Sequence, residues 1–111
     1  MIEILQETKI SVVCVKPVGI AAQGTDAQAL PQLLAAQLGC EVYPVHRLDQ
    51  AVGGVMVFAR SRMADSLLSR QVQAHTFQKD YLAVLEGVPA QASGVLEDQL
   101  RRDTAARRTC V

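Results

Sequence analysis

Residues 44–58 read PVHRLDQAVGGVMVF and decide how the rest of the chain is interpreted. A polar tetrad, HRLD (residues 46–49), lies between two segments, 41–45 and 53–59, that have the length and composition of short strands. We therefore predict two strands, with the ionisable side chains in the connection between them or at the end of a strand. Because loops held by rigid strands commonly carry binding and catalytic groups, this loop is the first candidate site.

Periodicity predicts the remaining elements. Alternating or β-branched apolar residues indicate strands, and apolar residues three and four positions apart indicate helices. The pattern is helical from residue 26, with Thr25 or Asp26 as the cap and Gly39 closing the C-terminus. Pro31 suits only the first turn of a helix, which would delay the start to about residue 30. The predicted strands are 10–15, 41–45, 53–59, 77–86 and the start of another at 95–100, and the predicted helices are 26–38 and 62–73. The expected fold is α+β, a mixed, mainly antiparallel sheet with two packed helices.

Composition excludes several classes of protein. With 111 residues, 50% of them hydrophobic, the chain suits one domain with its own core, and eleven basic side chains balance eleven acidic ones, so nucleic-acid binding would need a local patch. The three cysteines are far apart, which argues against a disulfide framework or a metal-binding pair and fits a reducing cytoplasm. No apolar run approaches the ~18 to 20 residues that a membrane span needs. The two distant histidines and three scattered cysteines do not suggest a metal site, and Gly53-Gly54 lacks the spacing of a phosphate-binding loop, so neither a metal nor a nucleotide is expected.

Asp49 is the first candidate for chemistry. A carboxylate held at the end of a strand by a neighbouring cation can act as a nucleophile or as a general base, and Arg47 is the nearby cation. Side chains at positions i and i+2 of a strand share a face, so both could meet one ligand. The alternative from pattern alone is a structural ion pair between Arg47 and Asp49.

Other polar residues have both a functional and a structural interpretation. His46 could contact a phosphate or act as a base, but a histidine among apolar residues is more often structural. Tyr81, which shares a predicted strand face with Lys79, could stack on a base or could be an ordinary strand aromatic. A basic segment could contact phosphates or form a solvated face. Its arginines are Arg101, Arg102, Arg107 and Arg108.

The order of four motifs is more specific than any one of them. KPVG (residues 16–19) is followed by HRLD (46–49), then by GVMVFAR (54–60) and then by KDYLAVLEG (79–87). Together they strongly resemble the RluA-type pseudouridine synthases, over nearly the whole chain. That resemblance implies an incomplete pseudouridine synthase catalytic domain, which isomerises a uridine in structured RNA, either rRNA or tRNA, without a metal or organic cofactor.

The resemblance also implies roles for individual residues. Asp49 matches the family's catalytic carboxylate, and Arg47 matches the arginine associated with the flipped-out nucleotide. Tyr81 matches the tyrosine that lies against the target base, and His46 and Lys79 are further candidates for RNA contacts. The ionisable tetrad would then face RNA from the floor of a cleft, and the two flanking strands would hold it in a fixed position.

The chain also departs from the family pattern. Val52-Gly53 stands where many relatives have Thr-Ser, no S4-like RNA-binding module precedes the motifs, and the later segment with a Gly-Arg-Thr-His-Gln-like motif has no counterpart. We therefore expect residues 1–111 to be the N-terminal part of such a catalytic domain. The alternatives are a non-catalytic RNA-binding remnant of the fold and a plain structural α/β domain. The sequence does not indicate an oligomeric state.

Overall fold

The fold comes from a computed structural model that describes residues 1–103, 105 and 108–110. The chain forms two compact units, Met1–Lys79 and Asp80–Val111. The first unit contains, in order, β1 (Ile4–Glu7), β2 (Ser11–Lys16), α1 (Leu30–Leu38), β3 (Tyr43–Pro44), β4 (Gly54–Ala59) and α2 (Arg62–Gln73). The second contains β5 (Arg101–Asp103) and β6 (Arg108–Cys110), which pair with each other.

A four-stranded sheet organises the first unit, in the order β1-β2-β4-β3 with every neighbouring pair antiparallel. The centre is the β2–β4 pair, which stays in register over six residue pairs from Ser11–Ala59 to Lys16–Gly54. The expected α+β class, with a mainly antiparallel sheet and two helices, is confirmed.

One face of this sheet forms the core. Strand β2 alternates between half-buried and fully buried residues, so that Val12, Cys14 and Lys16 point to the same side. Their neighbours on β4, Met56 and Phe58, are also fully buried. Helix α1 covers this face with the buried side chains of Leu30 and Leu34. Lys16 is thus a charged residue buried beside apolar ones.

The buried thiol of Cys14 gives a first testable prediction. Burial raises its pKa to about 11, so at pH 8 the chain should contain roughly 100-fold less Cys14 thiolate than an ordinary cysteine would provide. We expect iodoacetamide to modify half-buried Cys40 in the native chain while Cys14 reacts only after denaturation, as measured by peptide mass mapping. Equal rates at the two thiols would contradict the packing of β2 against α1.

Both helices begin close to their predicted positions. Helix α1 starts at Leu30 with Pro31 in its first turn, where a missing N–H costs nothing, and the left-handed Gly39 (φ 75°) closes it. Its predicted cap was wrong: the N-cap is Ala29, without a side-chain bond, because Asp26 instead accepts a bond from the amide of Gln28 (2.7 Å) in a preceding turn.

Helix α2 follows Ser61, as its periodicity predicts. The Ser61 side chain is the N-cap and accepts a hydrogen bond from the amide of Ala64 (3.1 Å). On the side that faces the sheet, Ala64 and Leu68 of the helix pack with Val45 and Ala59 in an apolar cluster separate from the core under α1. The helix thereby packs beside Val45, the residue that precedes the polar tetrad.

Three strand predictions were wrong in detail. The predicted strand 41–45 shortens to Tyr43–Pro44, because the chain bends at Val45. In addition, strand β1 was not predicted. The segments 77–86 and 95–100 are not strands. Their alternation suits a strand, but a strand also needs a hydrogen-bonding partner, and none of the described strands pairs with them. Their apolar side chains, Leu82 and Val84 for example, remain fully exposed.

Candidate functional site

The HRLD tetrad lies in the loop between β3 and β4, as predicted. Along this loop Val45 and Leu48 are buried, whereas Arg47 and Asp49 are exposed. Leu48 joins the cluster that α1 covers and so acts as the apolar anchor of the loop. Because its two neighbours point outwards, the arginine and the carboxylate are both available to a ligand.

Asp49 begins a tight turn. Its carbonyl oxygen accepts a hydrogen bond from the amide of Val52 (2.9 Å), which closes the four residues Asp49–Val52. The structure describes both Arg47 and Asp49, and it contains no ion pair between them. The structural alternative, in which the two charges satisfy each other, is therefore not what holds this loop together.

The turn is fastened to the loop that follows β2. The amide of Gly19 donates to the carbonyl of Gln50 (2.7 Å), and the Gln50 side-chain amide donates back to the carbonyl of Gly19 (3.0 Å). Gly53 completes the contact, since a Cβ there would lie 3.0 Å from Val18 Cγ2 and 3.2 Å from the carbonyl oxygen of Lys16. A side chain at position 53 would therefore push against Val18 and the backbone of Lys16, one of which would have to shift by a few tenths of an ångström.

Lys16 is the buried cation behind this junction. Its side chain is 0% exposed, and its Nζ donates to the carbonyls of Pro17 (2.9 Å), Ile20 (2.7 Å) and Gln50 (3.2 Å). Burial lowers the pKa of Lys16, but only the charged ammonium has three N–H donors for three acceptors. The ammonium therefore links the end of β2, the 17–20 turn and the residue next to Asp49.

Sequence reasoning did not assign this role to Lys16 or Gln50. A signal was present, because Lys16 continues the inward-facing series Val12 and Cys14 and so falls on a buried position of β2. A lysine at such a position must find hydrogen-bond partners. Its partner at Gln50 is 34 residues away, which no local pattern identifies.

His46 holds the other end of the loop. Its ring is half-buried, its Nε2 accepts a hydrogen bond from the amide of Val57 on β4 (3.2 Å), and it packs on the ring of Phe77 with 5.2 Å between centroids. Burial, and then the positive charge of Lys79, lower the pKa of His46. Lys79 is itself exposed and close enough to influence the imidazole.

The remaining candidates lie in the second unit. Tyr81 is 60% exposed, which leaves its ring free to meet a ligand. Arg101 is exposed, whereas Arg107 and the side chains of Arg102 and Arg108 lie outside the described residues. A groove on the first unit contains none of the predicted site residues. It is lined by Glu7, Thr8, Lys9, Cys40 and Arg60.

Two further properties concern the described residues. No group of three or more His, Cys, Asp or Glu side chains among them is placed to hold a metal ion. No helix in the described part of the chain combines the length and the apolar character needed to cross a membrane.

Comparison with known proteins decides the family. Residues 10–110 match the family model described as RNA pseudouridylate synthase. The chain belongs to this family. The match covers most of the sequence, and it agrees with the RluA-type resemblance of the four motifs.

Individual relatives agree with this assignment. The chain is 36% identical over 92 residues to the tRNA pseudouridine synthase C of Haemophilus influenzae, covering 78% of this chain and 38% of that protein. It is 34% identical over 110 residues to an uncharacterised RNA pseudouridine synthase of Bacillus subtilis, covering 92% and 36%. The solved structure of human RNA pseudouridylate synthase domain containing 4 matches with a TM-score of 0.56 and 28% identity, over 67% of this chain and 30% of that chain. This pseudouridine synthase chain therefore spans well under half the length of these relatives.

Proposed function

We propose that this chain carries the catalytic-aspartate segment of an RNA pseudouridine synthase and takes part in converting a uridine in structured RNA to pseudouridine. The observation that carries the proposal is the exposure of Asp49 on a turn whose flanks are fastened on both sides. The match of HRLD to the family's motif supports a catalytic role for that carboxylate. We further propose that residues 1–111 correspond to the N-terminal part of the catalytic domain and that the reaction takes place in the cytoplasm, which suits the free thiols of Cys14 and Cys40.

The reaction suits a single exposed carboxylate. The bond between N1 of uracil and C1′ of ribose must break, the uracil must turn, and a bond from C5 to C1′ must form before the proton on C5 is lost and N1 regains one. Asp49 can attack C1′ directly or assist the departure of uracil. Either route requires a carboxylate that reaches the sugar, and an exposed turn provides such access.

The target uridine must leave its helix or loop before it can react. Extrusion costs a few kcal/mol, which contacts with the protein have to offset. Arg47 is suited to that task, since an exposed guanidinium can stack in the gap that the nucleotide leaves and can also reach a phosphate. We assign Tyr81 to the flipped base, and Lys79 and Arg101 to the RNA backbone, where their exposed positive charges would be useful.

The names of the relatives support a first choice of RNA to test. Several are called tRNA pseudouridine synthase C, so we propose a transfer RNA as the first substrate to test, with ribosomal RNA as the second. The alternative function is that of a non-catalytic remnant of the fold, which binds RNA but does not turn it over.

Mapping pseudouridine separates these functions. The chain and its Asp49→Asn variant would each be incubated with unmodified tRNA and rRNA, and modified sites would be located by carbodiimide adduct formation and primer extension. Product that requires Asp49 supports the proposal. RNA binding without product supports the remnant, and neither binding nor product supports a plain structural domain.

Arg47 has a distinct expected signature. The Arg47→Ala variant should lose about 10- to 100-fold in turnover because the extruded nucleotide is no longer held, whereas the loss of one surface charge should weaken RNA binding only about three-fold. Single-turnover rates and filter-binding affinities measure the two effects separately. Arg47→Lys is the matched control: it keeps the charge, so it should restore binding but not turnover. If Arg47→Ala had the same single-turnover rate as the wild type, this residue would not belong to the site.

A further inference from the structure

A hydrogen bond to a side chain extends the pairing of β3 with β4 beyond their last pair of backbone partners. The pairs Tyr43–Ala59 and Pro44–Phe58 are in register, and continuing that register would place Val45 opposite Val57. The chain bends away at Val45, and the amide of Val57 instead donates to Nε2 of His46 (3.2 Å). A side chain therefore occupies the place at which a strand would have offered a carbonyl oxygen.

This hydrogen bond sets the protonation state of the imidazole. A ring nitrogen that accepts an N–H must keep its lone pair, so Nε2 is unprotonated and the ring is neutral, with its proton on Nδ1. An imidazolium carries a hydrogen on both nitrogens and could not accept this bond. Nδ1 itself is buried and has no hydrogen-bond partner in the described part of the chain.

We propose that His46 is a positioning residue for Asp49: as a neutral imidazole it prolongs the pairing of β3 with β4 and thereby fixes the start of the loop that carries the carboxylate. This role rests on the proposed function of Asp49. It differs from the RNA contact expected from the sequence, because one ring nitrogen is occupied by the sheet and the other is buried. The loop is then fastened on both sides of Asp49, by His46 before it and by Gln50 after it.

The charges around the ring agree with a neutral state. Among the described residues, Lys79 is the charged group whose field reaches the ring. Burial, and then this positive charge, lower the pKa of His46. Phe77 is the ring packed against it. Since the folded pKa lies below the unfolded value of about 6.5, the unfolded chain binds a proton first as the pH falls. The stability contributed by neutral His46 is therefore complete above about pH 6.5 and is lost as the pH falls from there towards the folded pKa.

Nitrogen NMR of the chain tests the protonation state directly. With His75→Gln removing the second histidine signal, long-range ¹H–¹⁵N spectra at pH 7 should show His46 with its proton on Nδ1 and with Nε2 as an acceptor. The titration midpoint should lie below that of a free histidine. A proton on Nε2, or a charged ring at pH 7, would overturn the proposal. This measurement does not require the chain to be catalytically active.

Two substitutions separate positioning from RNA contact. His46→Gln can still present an acceptor to Val57, whereas His46→Leu cannot. We expect the hydrogen-exchange protection factor of the Val57 amide to fall at least ten-fold in His46→Leu and to stay close to the wild-type value in His46→Gln. If the chain turns over RNA, the rate should follow the same order with RNA affinity changed less than two-fold. Unchanged Val57 protection in His46→Leu, or equal loss of RNA affinity in both variants, would refute a positioning role. If the wild type forms no product, the function proposed for Asp49 fails while the Val57 measurement still decides the role of His46.

Discussion

The Asp49→Asn variant is expected to form pseudouridine at least ~10³-fold more slowly than the wild-type chain, because an amide cannot attack a sugar carbon or support the departure of uracil. The fold should not change. Asp49 is exposed, its carbonyl rather than its carboxylate closes the Asp49–Val52 turn, and asparagine suits the same turn. The free energy of unfolding should therefore stay within about 0.5 kcal/mol of the wild-type value.

Two further variants make this result specific. Asp49→Glu keeps the charge but moves it by one methylene, so turnover should fall roughly 100-fold, as expected for a misplaced reacting group. Asp26→Asn removes another exposed carboxylate, in the turn before α1, and should leave turnover unchanged. Rates would be measured under single-turnover conditions with saturating protein. Comparable product from Asp49→Asn and wild type would refute the assignment of the reaction to this carboxylate.

Local sequence signals predicted the two helices of this fold and the loop that carries HRLD. Ser61, Gly39 and Pro31 each act on their own helix within one turn, so the start of both helices and the end of α1 could be predicted from neighbouring residues. The loop that carries HRLD was also predictable, because it separates two apolar segments that pair in the central sheet. Strand β1 was not, since its residues form a strand through their pairing with β2 rather than through their own composition.

The interactions that fasten the candidate site were beyond local patterns. The bond from Lys16 to Gln50 spans 34 residues, and the bond from Val57 to His46 depends on a bend that stops β3 after two residues. The roles of Asp49 and Arg47 came from a resemblance in the order of motifs rather than from geometry. The structure adds that both side chains are exposed, and their roles stay predictions.

Replacing Lys16 with methionine is expected to have the largest effect on stability. Methionine fills a similar volume but leaves the carbonyls of Pro17 and Ile20 without the donor that they now share, whereas the carbonyl of Gln50 keeps the amide of Gly19. An acceptor left unsatisfied costs about 1–3 kcal/mol when it is buried, but Pro17 is exposed, so water can replace the ammonium at its carbonyl, and removing the desolvated ammonium recovers part of the cost. We expect a net loss of about 1–3 kcal/mol, which lowers Tm by roughly 4–15 °C in a domain of this size.

The same substitution should also disturb the candidate site, because Lys16 reaches the residue that follows Asp49. Amide chemical shifts of Asp49 to Val52 should move in Lys16→Met, and turnover should fall even at temperatures where the variant remains folded. Lys9→Met is the matched control, since it removes an exposed lysine and should change stability by no more than about 0.5 kcal/mol. Thermal unfolding followed by circular dichroism measures both variants. Equal Tm values for Lys16→Met and Lys9→Met would mean that the three carbonyls do not depend on the ammonium, and the turn that bears Asp49 would then have to be held by the mutual hydrogen bonds of Gly19 and Gln50.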